Sequence, residues 1–230
     1  MIYPDICGAV FVDRPNRFVA HCRLNGEIVV CHVKNTGRCR ELLIPGAQVF
    51  LQKAQSSARK TPYDLIAVRK GERLVNIDAA APNAVFGEWV RSGGFLPGAT
   101  LIRPETVHGD SRFDFYLEAG ERKMFVEVKG VTLERDNGLF FPDAPTQRGV
   151  KHVNGLIQCV QEGYEAACVF VIQMRDASFF APNRDTHPEF ADALIRAHAA
   201  GVQIAAVDCE VAEDRLQILG TVPVRLDPAP

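Results

Sequence analysis

Arg112-Phe-Asp-Phe-Tyr-Leu-Glu118 and Met124-Phe-Val-Glu-Val-Lys129 decide how this chain is read. Both stretches have the composition of strands, and Gly120-Glu121 between them suits a two-residue type II′ hairpin loop, with glycine where positive φ is needed. That loop sets the register, so that residues whose numbers sum to 241 face each other. Asp114 then stands opposite Glu127 and Arg112 opposite Lys129, all four on one face of the sheet. Phe113, Phe115, Leu117, Met124, Val126 and Val128 make the other face, an evident core face. Two carboxylates in contact repel, and one is expected to keep its proton unless a cation lies between them. A divalent metal ion removes the conflict.

Carboxylate oxygens without a Cys or His cluster suit a hard cation, so the expected cofactor is Mg2+ or Mn2+ rather than zinc. Such an ion binds a phosphodiester oxygen and generates a hydroxide nucleophile, while Lys129 adds positive charge where negative charge develops. The expected catalytic set is therefore Asp114, Glu127 and Lys129, with Asp114 and Glu127 as metal ligands. The competing reading is an ordinary ion pair of Lys129 with either acid. Gly130, next to Lys129, permits a close backbone approach. Glu88, just before Trp89 on the preceding helix, is a candidate third metal ligand and reads equally well as an exposed helix residue.

At 230 residues and 47% hydrophobic, the chain can bury a sizeable core in one large or two small domains. Its net charge of −2 hides an asymmetry. Residues 1–80 hold 12 Lys+Arg against 7 Asp+Glu, a net +5, and residues 81–230 hold 14 against 21, a net −7. A basic front and an acidic back suggest two modules, the front one meeting a polyanion. The seven cysteines are scattered, with no C-x-x-C pair, which argues against a disulfide framework or a zinc site. No basic, apolar leader opens the sequence and no run is long enough to span a bilayer. The expectation is a cytoplasmic protein with no membrane partner.

Short strand-like runs fill the front: 6–12, 17–24, 27–33, 47–53, 64–70 and 73–77, with Asn25-Gly26 a strong hairpin turn. Residues 1–80 are thus expected to form an all-β, OB-like barrel that holds nucleic acid. From 81 to 230 the pattern turns to α/β. A helix is predicted over 83–91 with Asn83 as its N-cap, then strands at 100–107, 112–118 and 124–133. A long helix follows over about 145–163, with Asp143 or Thr146 near its cap and Pro145 in its first turn. Strands at 166–174 and 202–211 flank a helix over 188–200, and 215–226 adds a terminal hairpin.

Three basic clusters are candidate nucleic-acid contacts. Lys34, Asn35, Arg38 and Arg40 share a segment in which Asn35 and Gly37 permit a tight loop, and Arg59-Lys60 makes the second. On the long helix Val153, Leu156, Ile157, Val160 and Tyr164 form the core stripe, which puts Arg148, Lys151 and His152 on roughly the opposite face. Positive charge there opposes the helix dipole and makes sense if an anion binds; a solvated face is the alternative. Arg112, beside Asp114, completes the candidate set.

Asn35-Thr-Gly37, Arg59-Lys-Thr-Pro-Tyr-Asp-Leu-Ile66, Arg112-Phe-Asp-Phe115, Val126-Glu-Val-Lys-Gly-Val-Thr-Leu133 and Phe141-Pro-Asp-Ala-Pro-Thr-Gln-Arg-Gly-Val-Lys-His152 resemble the SfsA family, the sugar fermentation stimulation proteins. The likeness runs over essentially the whole chain. It implies an OB-like domain followed by a PD-(D/E)xK nuclease-fold domain, with Asp114 and Glu127 as metal-binding acids, Lys129 as the motif lysine and Glu88 as the helix acid. Phe113 stands where the motif's name has proline. The resemblance implies nucleic acid, DNA foremost, as partner. Activity is expected to be Mg2+-dependent phosphodiester hydrolysis, or else DNA-binding regulation of sugar metabolism on a nuclease fold without turnover.

Overall fold

The structure, a computed structural model, describes residues 1–35, 37–56 and 59–226. The front of the chain forms β1 (Ile6–Asn16), β2 (Val19–Leu24), β3 (Glu27–Val33), β4 (Gln48–Lys53), β5 (Tyr63–Lys70) and β6 (Arg73–Asn76). Antiparallel pairs run β3-β2-β1-β4-β5-β6, and a parallel pairing of β3 with β5 closes the first five into an OB barrel. Alternate residues fill it: Ala9, Phe11, Ala20, Cys22, Cys31, Val33, Val49, Leu51 and Leu65 are all buried. Asn25 and Gly26 both take positive φ, as the β2–β3 turn requires.

An α/β domain of nuclease-like fold follows. It contains α1 (Ala81–Arg91), β7 (Leu101–His108), β8 (Ser111–Ala119), β9 (Arg122–Val131), β10 (Leu133–Arg135), β11 (Gly138–Phe141), α2 (Gln147–Gln161), β12 (Glu165–Ile172), β13 (Phe179–Pro182), α3 (Pro188–Ala199), β14 (Gln203–Ala212) and β15 (Arg215–Val222). Its main sheet has the order β15-β14-β12-β9-β8-β7, and β9, β12 and β14 run parallel. One face buries Val85, Phe86 and Val90 of α1 against Phe115, Leu117, Val126 and Val169. On the other, Val153 and Leu156 of α2 and Phe190 and Leu194 of α3 pack with Phe113, Phe125 and Phe170. The small sheet β10-β11-β13 went unread in the sequence, because its strands are only three or four residues long.

Two helix starts differ from expectation. Asn83 lies inside the first turn of α1, whose N-cap is Ala80; the Asp78 carboxylate accepts the Ala80 N–H at 2.9 Å in place of a capping side chain. Pro145 precedes α2, which Thr146 caps by accepting the Gly149 N–H at 3.0 Å.

The two halves meet through a buried polar network. Asn76 Nδ2 donates to the Tyr3 hydroxyl at 3.0 Å, and Gln173 Nε2 donates to Asn76 Oδ1 at 2.8 Å and to the Asp78 carbonyl at 3.0 Å. Tyr3 N–H donates to the Asp214 carbonyl at 2.7 Å, and Ile2 bridges to Arg215, so the first residues lie against the end of the α/β domain and not the barrel alone.

Candidate active site

The β8–β9 hairpin has the register read from its loop. Ala119 pairs with Arg122, Leu117 with Met124 and Phe115 with Val126, and Gly120 takes φ +61°. Beyond Phe115 the ladder opens. Asp114 does not pair with Glu127; its Oδ2 instead accepts the backbone N–H of Val128 at 2.7 Å, and its Oδ1 accepts Asn83 Nδ2 at 2.8 Å. The side-chain alternation also breaks there. Phe113 packs on Phe125 on the α2 side, whereas Phe115 packs on Phe86 on the α1 side, so the expected single apolar face holds from Phe115 onward and excludes Phe113.

Glu127 projects toward α2, only 2% exposed. Its Oε1 accepts from both Lys129 Nζ and His152 Nδ1, while its Oε2 is buried with no hydrogen-bond partner. A buried, unpaired carboxylate oxygen is costly unless something positive completes it. The two acids diverge electrostatically. Burial and then the Glu127 charge push the Asp114 carboxyl above its ordinary range, against the bonds from Val128 and Asn83 and the Lys129 charge. Burial also pushes Glu127 upward, but the His152 hydrogen bond and the Lys129 ammonium together outweigh it and hold that carboxyl below the ordinary range. The adjoining Cys168, fully buried on β12 beside Glu127, has its thiol pushed up to about 12. It is a core residue and not a nucleophile.

Asp114, Glu127 and Lys129 therefore come together; several other expected site residues do not join them. Glu88 points across α1 toward β15, exposed, with its carboxylate 2.6 Å from the Met1 ammonium. It is displaced because the buried stripe of α1 runs through Val85, Phe86 and Val90, which turns position 88 away from β8. The helix residue that reaches Asp114 is Asn83, whose polar side chain inside a helical turn was the available clue. His152 does not lie on the outer face of α2: it is buried, and Arg148 Nε reaches its Nε2 at 3.4 Å. Lys151 is exposed on that helix. Among the described residues no group of three or more His, Cys, Asp or Glu gathers in a metal-holding arrangement.

The basic clusters are partly spoken for. Lys34 Nζ lies 2.6 Å from Asp78, which is 1% exposed, so it serves an internal ion pair. Arg59 grips Asp64 through both terminal nitrogens, at 2.6 and 2.9 Å, and Arg112 pairs with Glu105 at 2.9 Å. Arg38, Arg40 and Lys60 are exposed side chains. Asn35 Oδ1 accepts the Gly37 N–H at 2.7 Å; Thr36 lies outside the described residues. Arg14, which sequence reasoning passed over, and Asp143, which it read only as a possible helix cap, shape this loop. Arg14 donates to the carbonyls of Asn35, Gly37 and Arg38, and Asp143 accepts the Arg38 N–H at 3.0 Å, joining the barrel loop to the α/β domain.

Known proteins account for this combination of folds. Residues 12–77 match the family described as the SfsA N-terminal OB domain, and residues 80–215 the one described as the Sugar fermentation stimulation protein RE domain. The chain belongs to the SfsA family. It is 56% identical over 226 residues to a sugar fermentation stimulation protein homolog of Desulfitobacterium hafniense strain Y51, covering 98% of this chain and 99% of that one. A homolog from Ruminiclostridium cellulolyticum is 50% identical, with 98% and 100% covered. Among solved structures, one titled the structure of Pyrococcus furiosus SfsA in complex with Ca2+ matches with a TM-score of 0.89 at 28% identity, over 98% of each chain. No helix among the described residues is long and apolar enough to cross a membrane.

Proposed function

We propose that this SfsA-family chain binds nucleic acid, DNA foremost, and hydrolyses phosphodiester bonds with Mg2+ or Mn2+ held by Asp114 and Glu127. The observation that carries the reading is the unpaired, buried Oε2 of Glu127, beside an Asp114 whose carboxyl is raised by burial and by that neighbour's charge. An all-oxygen pair of this kind fits a hard cation. Ca2+, named with the Pyrococcus furiosus protein, belongs to the same class. When bound, such an ion polarises a phosphoryl oxygen and lowers the pKa of its water.

The chain's own residues do the rest. Asn83 and the Val128 N–H fix the orientation of Asp114, and His152 together with Lys129 fixes Glu127. Lys129, 16% exposed, leaves an ammonium at the site where the phosphate gains charge. Arg38, Arg40 and Lys60 on the barrel supply backbone contacts. Incubation of purified protein with linear and supercoiled DNA in Mg2+, Mn2+ or EDTA tests the reading: cleavage with either ion and none in EDTA is expected, and loss of that cleavage in Asp114→Asn.

A second reading, a DNA-binding regulator without turnover, draws on the fact that Glu88 faces away and leaves two acids where three were expected. Binding that persists in Mg2+ and Mn2+ with no strand breakage would select it.

A further inference from the structure

Between the barrel loop and the α/β domain lies a cavity of about 180 Å3, lined among others by Gly37, Gly130, Thr132, Phe140, Asp143 and Gln173. It begins one residue on from Lys129, and none of Asp114, Glu127, Lys129 and His152 lines it. Its polar groups are placed, not solvated at random. Gln173 is 1% exposed and its Nε2 is committed to Asn76 and the Asp78 carbonyl, which fixes the amide. Its Oε1 is turned toward Gly130, 2.7 Å from where a Cβ on that residue would stand, and among the described residues no donor bonds it. Asp143 is anchored through Oδ2 on the Arg38 N–H, leaving Oδ1 without a partner among the described residues. The Phe140 ring supplies an apolar wall, held edge-on by Phe179 at 5.9 Å between centroids. A side chain at Gly37 would collide with Asp143 Oδ2 at 2.5 Å, so the close approach of loop and carboxylate requires glycine there.

The cavity falls below the roughly 300 Å3 at which pockets for drug-sized ligands begin. By volume it holds a group the size of a single base and not a whole nucleotide. Anchored acceptors on the lining residues Gln173 and Asp143, with an aromatic wall, match the amino-bearing edge and the π-face of an unpaired base. We propose that this cavity receives a single unpaired nucleobase of the nucleic acid whose backbone lies at Asp114, Glu127 and Lys129, so that the substrate is single-stranded or locally opened there. This rests on the nucleic-acid reading of the site.

The test uses the unaltered full chain in EDTA, to prevent cleavage, with a trinucleotide carrying 2-aminopurine at its centre and the same trinucleotide with an abasic sugar at that place. The expected result is strong quenching of 2-aminopurine on binding, and abasic binding weaker by about 5- to 150-fold, the range of one stacked base. Phe140→Ala should reduce both the quench and this gap. Equal affinity for the two trinucleotides, or bound 2-aminopurine of unchanged fluorescence, overturns the base pocket while leaving the nucleic-acid reading intact. If no oligonucleotide, short or long, binds the chain at all, both fall together.

Discussion

Glu127→Gln preserves volume and shape but removes the charge that Lys129 and His152 both address. Each hydrogen bond to an ionised group is worth about 1.5–3 kcal/mol, and cutting one partner out of a buried pair costs about 3–5 kcal/mol. Neutralising Glu127 also relieves the burial of a charge at 2% exposure, which offsets part of that loss. A net loss of about 2 kcal/mol follows, and for a chain of this length each kcal/mol shifts the melting temperature by about 2–4 °C. Thermal unfolding in EDTA should therefore show the variant melting about 4–8 °C below the parent at neutral pH. The sign with pH is fixed by the direction of the shift. A carboxyl held below its ordinary range contributes stability above that range and loses it as pH falls through its folded value, so the gap between parent and variant should close in acid. A variant that melts with or above the parent in EDTA at neutral pH would refute the account of Glu127 as an anchored, ionised group.

Asp114→Asn should act in the opposite direction. Its carboxyl is raised, so its contribution is present in acid and lost as pH rises through the folded value; the variant should melt above the parent in EDTA at neutral pH, with the difference vanishing in acid. In Mg2+ at about a hundredfold excess over Kd the parent should gain about 2.7 kcal/mol and the variant little, which unfolding curves with and without the ion measure. Lys129→Ala should lower turnover far more than DNA affinity, read as kcat against Kd, since its role belongs to the transition state; equal losses would make it a phosphate contact. Neutralising Arg38 and Arg40 together should reduce the slope of log affinity against log salt by about 0.7–0.9 for each phosphate left without its cation, with sequence preference unchanged. Lys34→Ala, by contrast, should cost about 2–4 kcal/mol of stability by stranding the buried Asp78, toward the low side of a broken buried pair because Lys34 is partly exposed. Denaturant titration separates the two effects.

The barrel and the hairpin were legible because their turns carry their own chemistry. Asn25-Gly26 and Gly120-Glu121 announce the loops, and a loop of known length fixes every pairing that follows it. What periodicity could not show is where a strand departs from it. At Asp114 the side chain takes a backbone N–H from the neighbouring strand, the ladder opens, and Phe113 turns to the opposite layer. Glu88 was misplaced by proximity in sequence: it adjoins Trp89, but helix geometry and the Met1 ammonium carry it to the far edge of the sheet. His152 illustrates the converse, since a titratable residue among cations reads as surface until a buried acid on another strand claims it. Lys34 was taken for a phosphate contact because its partner, Asp78, is 44 residues away and meets it only once the barrel has closed.

The contact of Ile2 and Tyr3 with residues 214 and 215 sets an order of events as the chain is made. The barrel strands end at Asn76, so the barrel can close while the rest is still being synthesised. The opening residues must wait for about another 140 to be added, on the order of 7–28 s at about 5–20 residues per second. Through that interval Tyr3 can already pack on Phe50 and Ile66 of the barrel, but the backbone at residues 214 and 215 that Ile2 and Tyr3 pair with does not yet exist. Final closure is thus a late step, made by the earliest residues.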